Sequence, residues 1–143
     1  MKAGCSLLLV DDNVIDVESV SRALARIEGE HRLHAADSER EALAFLEHSV
    51  DRSGEDSLPD LILLDLSLPG TSGLEVLMTL KSSENFSHIP VVIFSSSRSA
   101  SDIKSAYRAG ANGFVTKPPD FESLIQAMDG ILHYWGKVAE LPP

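Results

Sequence analysis

Four short segments of the chain set reactive side chains directly behind apolar runs. Leu7 to Val10 leads into Asp11-Asp12-Asn13, Leu61-Ile62-Leu63-Leu64 into Asp65, Val91 to Phe94 into Ser95-Ser96-Ser97, and Gly113 to Thr116 into Lys117. Apolar runs of this length are too short for stable helices and read as strands buried on both faces. In an open parallel sheet, ligands bind at the carboxyl edge of the strands, so three acids, a hydroxyl cluster and a lysine are expected to meet there. Gathered carboxylates repel: two charges about 5 Å apart cost roughly 3 kcal/mol at an effective dielectric near 20. Hard oxygen ligands suit Mg2+, which typically takes one or two carboxylates together with phosphate oxygens, and Lys117 offsets further charge. Asp65 is then placed to attack phosphorus and form an aspartyl phosphate, a group with nearly two negative charges and three acceptor oxygens that pulls a neighbouring hydroxyl such as Ser95 inward.

Helices must connect these strands. Val17, Val20, Leu24 and Ile27 recur at helical spacing after a cap at Asn13 or Asp16, and Gly29 is expected to end that segment. His31 to Ala36 reads as a second strand, and a helix starting at Asp37 or Ser38 turns Ala42, Leu43 and Leu46 inward. Val50 to Leu58, with Gly54 and three acids, reads as a polar surface loop. Pro69-Gly70-Thr71-Ser72-Gly73 turns the chain into a helix whose expected inner face carries Leu74, Leu77 and Met78, with the Lys81 stem at its edge. A fourth helix runs from Ser99 to Ala109 and stops at Gly110. A fifth begins near Asp120, with Leu124, Ala127, Met128, Ile131, Leu132 and Trp135 at offsets of 0, 3, 4, 7, 8 and 11 residues. Five strands alternating with five helices predict an α/β architecture, a parallel sheet covered on both faces.

The 143 residues suit one domain, with a core over about 6–133 and a helical extension over about 134–143. The net charge of -10 repels nucleic acid and anionic membrane surfaces. The single Cys5 excludes an internal disulfide, and no apolar run approaches the roughly 20 residues of a membrane span. A cytoplasmic location is expected. Each of the five histidines lacks a second ligand at metal spacing.

Taken together, the Asp11-Asp12 pair, Asp65 with Leu68-Pro69 and Gly73, Ser95 thirty residues beyond Asp65, Ala109-Gly110-Ala111, and Phe114 with Lys117-Pro118 resemble the receiver domains of two-component response regulators. The resemblance implies a doubly wound, flavodoxin-like five-stranded sheet in the order 2-1-3-4-5. It implies that Asp65 accepts a phosphoryl group from a histidine on a sensor kinase, that Asp12 and Asp65 contact Mg2+ directly, that the Ser67 main-chain carbonyl adds a ligand, and that Asp11 acts mostly through water. It further implies that Lys117 binds the phosphoryl group, that the Lys117-Pro118 bond is cis, and that Ser95 and Phe114 form a switch altering the face of the fourth helix, fifth strand and fifth helix. A narrower resemblance, to stand-alone regulators paired with cyanobacterial and bacterial phytochromes, rests on the loop before Pro59 and on His133-Tyr134-Trp135, Val138 and Leu141-Pro142. It implies a regulator without an output domain, and a homodimer or partner face around Tyr107, Phe114, Tyr134 and Trp135.

Blander readings compete residue by residue. Asp11 and Asp12 alone would be capping or solvated acids, Ser95-Ser96-Ser97 alone a loop, Phe114 ordinary packing, and Trp135 a core-covering aromatic. A different activity, that of a haloacid-dehalogenase-type phosphatase, also uses an aspartate nucleophile and Mg2+, but it resembles Asp-x-Asp, and Ser67 occupies the second position here. A flavodoxin-like electron carrier would need a hydroxyl- and glycine-rich phosphate loop where Asp11 and Asp12 stand. The expected protein is therefore a phosphoacceptor regulator, not an enzyme acting on other substrates.

Overall fold

The computed structural model describes residues 4–50 and 57–141. Its frame is a five-stranded parallel sheet built from β1 (Ser6–Val10), β2 (Arg32–Ala36), β3 (Leu61–Leu64), β6 (Val91–Ser95) and β7 (Gly113–Thr116), in the order β2-β1-β3-β6-β7. Two short strands, β4 (Ser67–Leu68) and β5 (Thr71–Ser72), pair only with each other as an antiparallel hairpin. Without that hairpin the order is the expected 2-1-3-4-5. Helices α1 (Val14–Ala25), α2 (Glu39–Ser49), α3 (Gly73–Ser82), α4 (Ala100–Arg108) and α5 (Phe121–His133) complete the alternation.

Period-two alternation along the strands divides the core in two. Leu7, Leu9, Leu61, Leu63, Val92 and Phe94 face α1 and α5, where Val20, Leu24, Met128 and Ile131 close over them. Leu8, Val10, Ile62, Leu64, Val91 and Ile93 face α2, α3 and α4, against Leu46, Val76, Leu80 and Ala106. The register pairs Leu7 with Leu61 and Val10 with Leu64. A slip of one residue would exchange the two faces, so this register is strongly specified.

Each helix starts on a polar cap whose side chain accepts main-chain N–H groups. Asn13 takes those of Ile15 and Asp16, Ser38 that of Glu41, Ser72 that of Glu75, Ser99 that of Asp102 and Asp120 that of Ser123. Asn13 and Ser38 are thus the caps among the alternatives the sequence left open.

Four local expectations differ from the structure. The first helix stops at Ala25, one turn before Gly29, because the N–H groups of Arg26 and Ile27 bond back to Ala23 and Leu24 three residues earlier. In α3 the buried stripe is Gly73, Val76, Leu77 and Leu80, and Met78 is half exposed, since a helix lying on a sheet buries one stripe and Met78 falls outside it. The turn before α3 carries the β4–β5 hairpin. Beyond His133 the chain makes one π-helical turn, Tyr134–Val138, and Ala139 is extended, so regular helix does not run on as expected. Most of the polar loop, residues 51–56, and Pro142 of the C-terminal motif lie outside the described residues. No helix among the described residues is long and apolar enough to cross a membrane.

Candidate phosphoacceptor and cation site

Parallel pairing brings the strand ends together. The Asp11 N–H continues the ladder to the Ala36 carbonyl, the Asp65 N–H donates to Val10, and the Lys117 N–H donates to Ser95, at 2.8–3.0 Å. Asp11, Asp12, Asp65, Ser95 and Lys117 consequently stand along one edge. Gly73 allows a tight turn beside it. Its N–H donates to the Leu66 carbonyl at 2.8 Å, and a Cβ at this position would lie 2.2 Å from the Asp65 carbonyl oxygen.

Asp11, Asp12 and Asp65 each offer a carboxylate oxygen, and these oxygens lie within 4.8 Å of one another. Asp11 and Asp65 are buried and Asp12 is exposed. Lys117 reaches into the group: its Nζ lies 2.9 Å from Asp65 Oδ2, 2.8 Å from Asp11 Oδ2 and 2.8 Å from Asp16 Oδ2. The contacts to Asp16 and Asp65 are hydrogen bonds. Asp11 Oδ1 accepts the Asn13 N–H at 2.9 Å, whereas Asp11 Oδ2, although close to the ammonium, is buried and lacks a hydrogen-bond partner.

Burial pushes the Asp11 carboxyl above its usual range, against the opposing pull of Lys117 and of the Asn13 N–H. Burial alone would lower Lys117, but its close contacts with the carboxylates of Asp11, Asp16 and Asp65 outweigh it and hold the ammonium well above its ordinary value. Three carboxylates, those of Asp11, Asp16 and Asp65, therefore share one fixed positive charge, and Asp12 adds a fourth negative charge beside Asp11 and Asp65. The cluster fits a hard divalent cation: its donors are all oxygens, three converge, and one buried lone pair is unsatisfied.

The remaining expected residues divide into two groups. Ser67 opens β4, exposed, with its N–H donating to Asp65 Oδ1 at 3.3 Å. Ser95 is buried at the edge, but its hydroxyl accepts the Ser97 N–H at 3.3 Å and makes no hydrogen bond to the acids or Lys117 among the described contacts. Farther off, Phe114 is half-buried against the α2–α4 side of the core. Tyr107, Phe114, Tyr134 and Trp135 line one shallow groove of about 490 Å3 between α4, β7 and α5. Tyr134 meets Trp135 edge to face at 4.9 Å.

Two features depart from expectation. The described residues contain no cis peptide bond, so the Lys117-Pro118 bond is trans, and the lysine is aimed by its main-chain tie to Ser95 and its three carboxylates. Asp16, read from sequence only as an alternative helix cap, is a member of the cluster. The available signal was its place in the first helical turn, four residues after Asp12, with its side chain directed back toward the strand edge.

Comparison with known proteins bears on the family. The model of the response regulator receiver domain matches residues 7–129. The chain is 32% identical to response regulator Rcp1 of Synechocystis sp. over 136 residues, 95% of this chain and 92% of Rcp1. It is 36% identical to the probable methanogenesis regulatory protein FilR2 of Methanothrix harundinacea over 129 residues, covering 90% and 82% of the two chains. Among solved structures, the phosphorylated cyanobacterial phytochrome response regulator RcpA superposes with a TM-score of 0.86 at 37% identity, over 99% of this chain and 100% of that one. The Mn2+-bound form of Rcp1 superposes with a TM-score of 0.82 over 97% and 99%. A match through all five strands and nearly all of the helices, with relatives above 30% identity along most of their own length, makes this chain a member of the response regulator receiver domain family.

Proposed function

We propose that the chain is a single receiver domain in which Asp65 accepts a phosphoryl group from a phosphohistidine on a sensor histidine kinase. An Asp65 carboxylate oxygen attacks phosphorus, the bond from phosphorus to the donor nitrogen breaks, and the imidazole leaves with the bonding electron pair. The product is a mixed anhydride on Asp65. Asp11, Asp12, Asp65 and the Ser67 carbonyl would hold Mg2+, which when bound supplies positive charge beside the phosphoryl oxygens. Lys117 carries the other compensating charge, and its hydrogen bond to Asp65 Oδ2 is the observation on which this reading chiefly rests. The Mn2+-bound state named for Rcp1 supports a divalent cation at the cluster.

Ser95, drawn toward the phosphoryl oxygens, would leave its local bond to Ser97, and Phe114 would repack beside it. Phosphorylation can bias two packings only by interacting differently with each. The groove at Tyr107, Phe114, Tyr134 and Trp135 is the proposed readout face, for a second copy of this chain or for a downstream partner. RcpA, named as a phytochrome response regulator, favours a phytochrome as the cognate kinase. On this reading the protein works in the cytoplasm and catalyses only its own phosphorylation and dephosphorylation.

The test is incubation with acetyl phosphate and Mg2+ followed by intact mass measurement. One added phosphoryl group is expected, and none in Asp65→Asn. Steady turnover of phosphate esters with no retained phosphoryl group would refute the proposal in favour of a phosphatase.

A further inference from the structure

The Lys117 ammonium has three protons and, at rest, three acidic neighbours. Hydrogen bonds run to Asp16 and Asp65, and Asp11 Oδ2 sits at 2.8 Å. A phosphoryl group on Asp65 brings three further acceptor oxygens, which then compete with the remaining resting partners for the ammonium. Asp65 is the reacting group, which leaves Asp11 and Asp16. Their exposures decide between them. The Asp11 side chain is 1% exposed and cannot exchange the ammonium for bulk water. The Asp16 side chain is 35% exposed and can exchange the ammonium for water. Its backbone is held independently, because the Asp16 N–H donates to Asn13 Oδ1 at 3.1 Å in the N-cap of α1.

We propose that Asp16 is a positioning residue that holds the resting Lys117 ammonium from the α1 side and surrenders it when a phosphoryl group arrives on Asp65. The inference rests on the phosphoacceptor reading and extends it. Asp16 is then a brake: its charge competes for the lysine and also repels the incoming phosphoryl donor. Asparagine keeps an acceptor oxygen of the same shape while removing the charge.

Two measurements on the full chain test this. In EDTA, an amine-acylating reagent read by mass spectrometry should modify Lys117 faster in Asp16→Asn than in the wild type. With Mg2+ and acetyl phosphate, Asp16→Asn should be phosphorylated about 3- to 10-fold faster, which corresponds to roughly 0.7–1.4 kcal/mol of relieved competition. A gain of electrostatic origin should shrink toward unity near 1 M salt, where the screening length falls to about 3 Å. A purely structural role for Asp16 would not produce that salt dependence. Unchanged Lys117 labelling, or phosphorylation of Asp16→Asn no faster than wild type, overturns the brake while leaving the phosphoacceptor reading intact. Failure of the wild type itself to take a phosphoryl group removes both.

Discussion

The acidic edge should destabilise the fold until a cation occupies it, and Asp12→Asn isolates that cost. Asp12 is exposed and takes no part in the Lys117 ion pairs, so replacing it breaks none of them. Its ligand oxygen lies within 4.8 Å of those of Asp11 and Asp65. At that distance each pair repels by about 3.5 kcal/mol at an effective dielectric of 20 and about 0.9 kcal/mol in bulk water. Exposure puts Asp12 toward the lower figure, and Lys117 cancels part of the field of its neighbours. The net relief expected from the isosteric amide is about 1–2 kcal/mol. A cation present at 100 times its dissociation constant stabilises the wild type by about 2.7 kcal/mol, and asparagine should forfeit much of that. Urea unfolding followed by far-UV circular dichroism should therefore rank Asp12→Asn above wild type in EDTA and below it in saturating Mg2+. A variant no more stable than wild type in EDTA, or an identical difference in both buffers, would refute the electrostatic account of the cluster.

Three further outcomes follow from other contacts. Gly73→Ala sets a Cβ against the Asp65 carbonyl. Relieving that overlap should cost about 1–3 kcal/mol and slow phosphoryl uptake by shifting Asp65, and wild-type values in both assays would show that the loop yields freely. Lys81 donates to the Ile89 carbonyl at 3.0 Å and to Asn112 Oδ1 at 2.9 Å, joining α3 to the starts of β6 and β7. Lys81→Met should lower unfolding free energy by about 1–3 kcal/mol. Burial holds this amine below its ordinary 10.5, so the unfolded chain binds the proton more tightly, and the wild-type advantage should widen as pH rises toward 10.5; a gap that narrows would contradict it. Asp120 is held below its ordinary 3.8 by the main-chain N–H and then the hydroxyl of Ser123. A lowered carboxyl pKa stabilises above the unfolded value and ceases to do so as pH falls through the folded one. The stability gap between wild type and Asp120→Ala should accordingly be constant from neutrality to about pH 4 and close below it.

What could be read from the residues alone depended on how local the cause was. Runs such as Leu61 to Leu64 announce a doubly covered strand because every side chain is apolar, and the polar residue ending each run falls at the edge whatever the loops do. Asp16 was obscured because an acid in a first helical turn already has a local explanation, the helix dipole, while its partner Lys117 is 101 residues away. Met78 reads as an inner residue because Leu74, Val76, Leu77, Met78 and Leu80 crowd two stripes of α3, and only contact with the sheet selects one. Likewise, Lys81 looked like a stem at the rim of a helix. Its acceptors belong to Ser87, Ile89 and Asn112, whose approach depends on the tertiary fold.

The strand frame also limits how the edge can respond to added charge. Asp11 and Asp65 follow Val10 and Leu64, which are paired in register, so their main-chain positions cannot draw apart without breaking a ladder that buries leucines on both faces. Adjustment must come from parts held more weakly. Side chains supply two, the Lys117 ammonium and Asp16. The segment after β6 supplies another, pinned by the Ser97 hydroxyl donating to Asp102 Oδ2 at 2.5 Å and the Ser99 N–H donating to Ser97 Oγ at 3.2 Å. That segment leads into α4, which buries only Ala106, whereas α3 and α5 each bury four residues. Elements with few buried apolar contacts open at lowest cost, so on the proposed phosphoacceptor reading a charge change at Asp65 would be relayed most cheaply through Ser95 and Ser97 into α4, and from there to the groove that Tyr107 shares with Phe114, Tyr134 and Trp135.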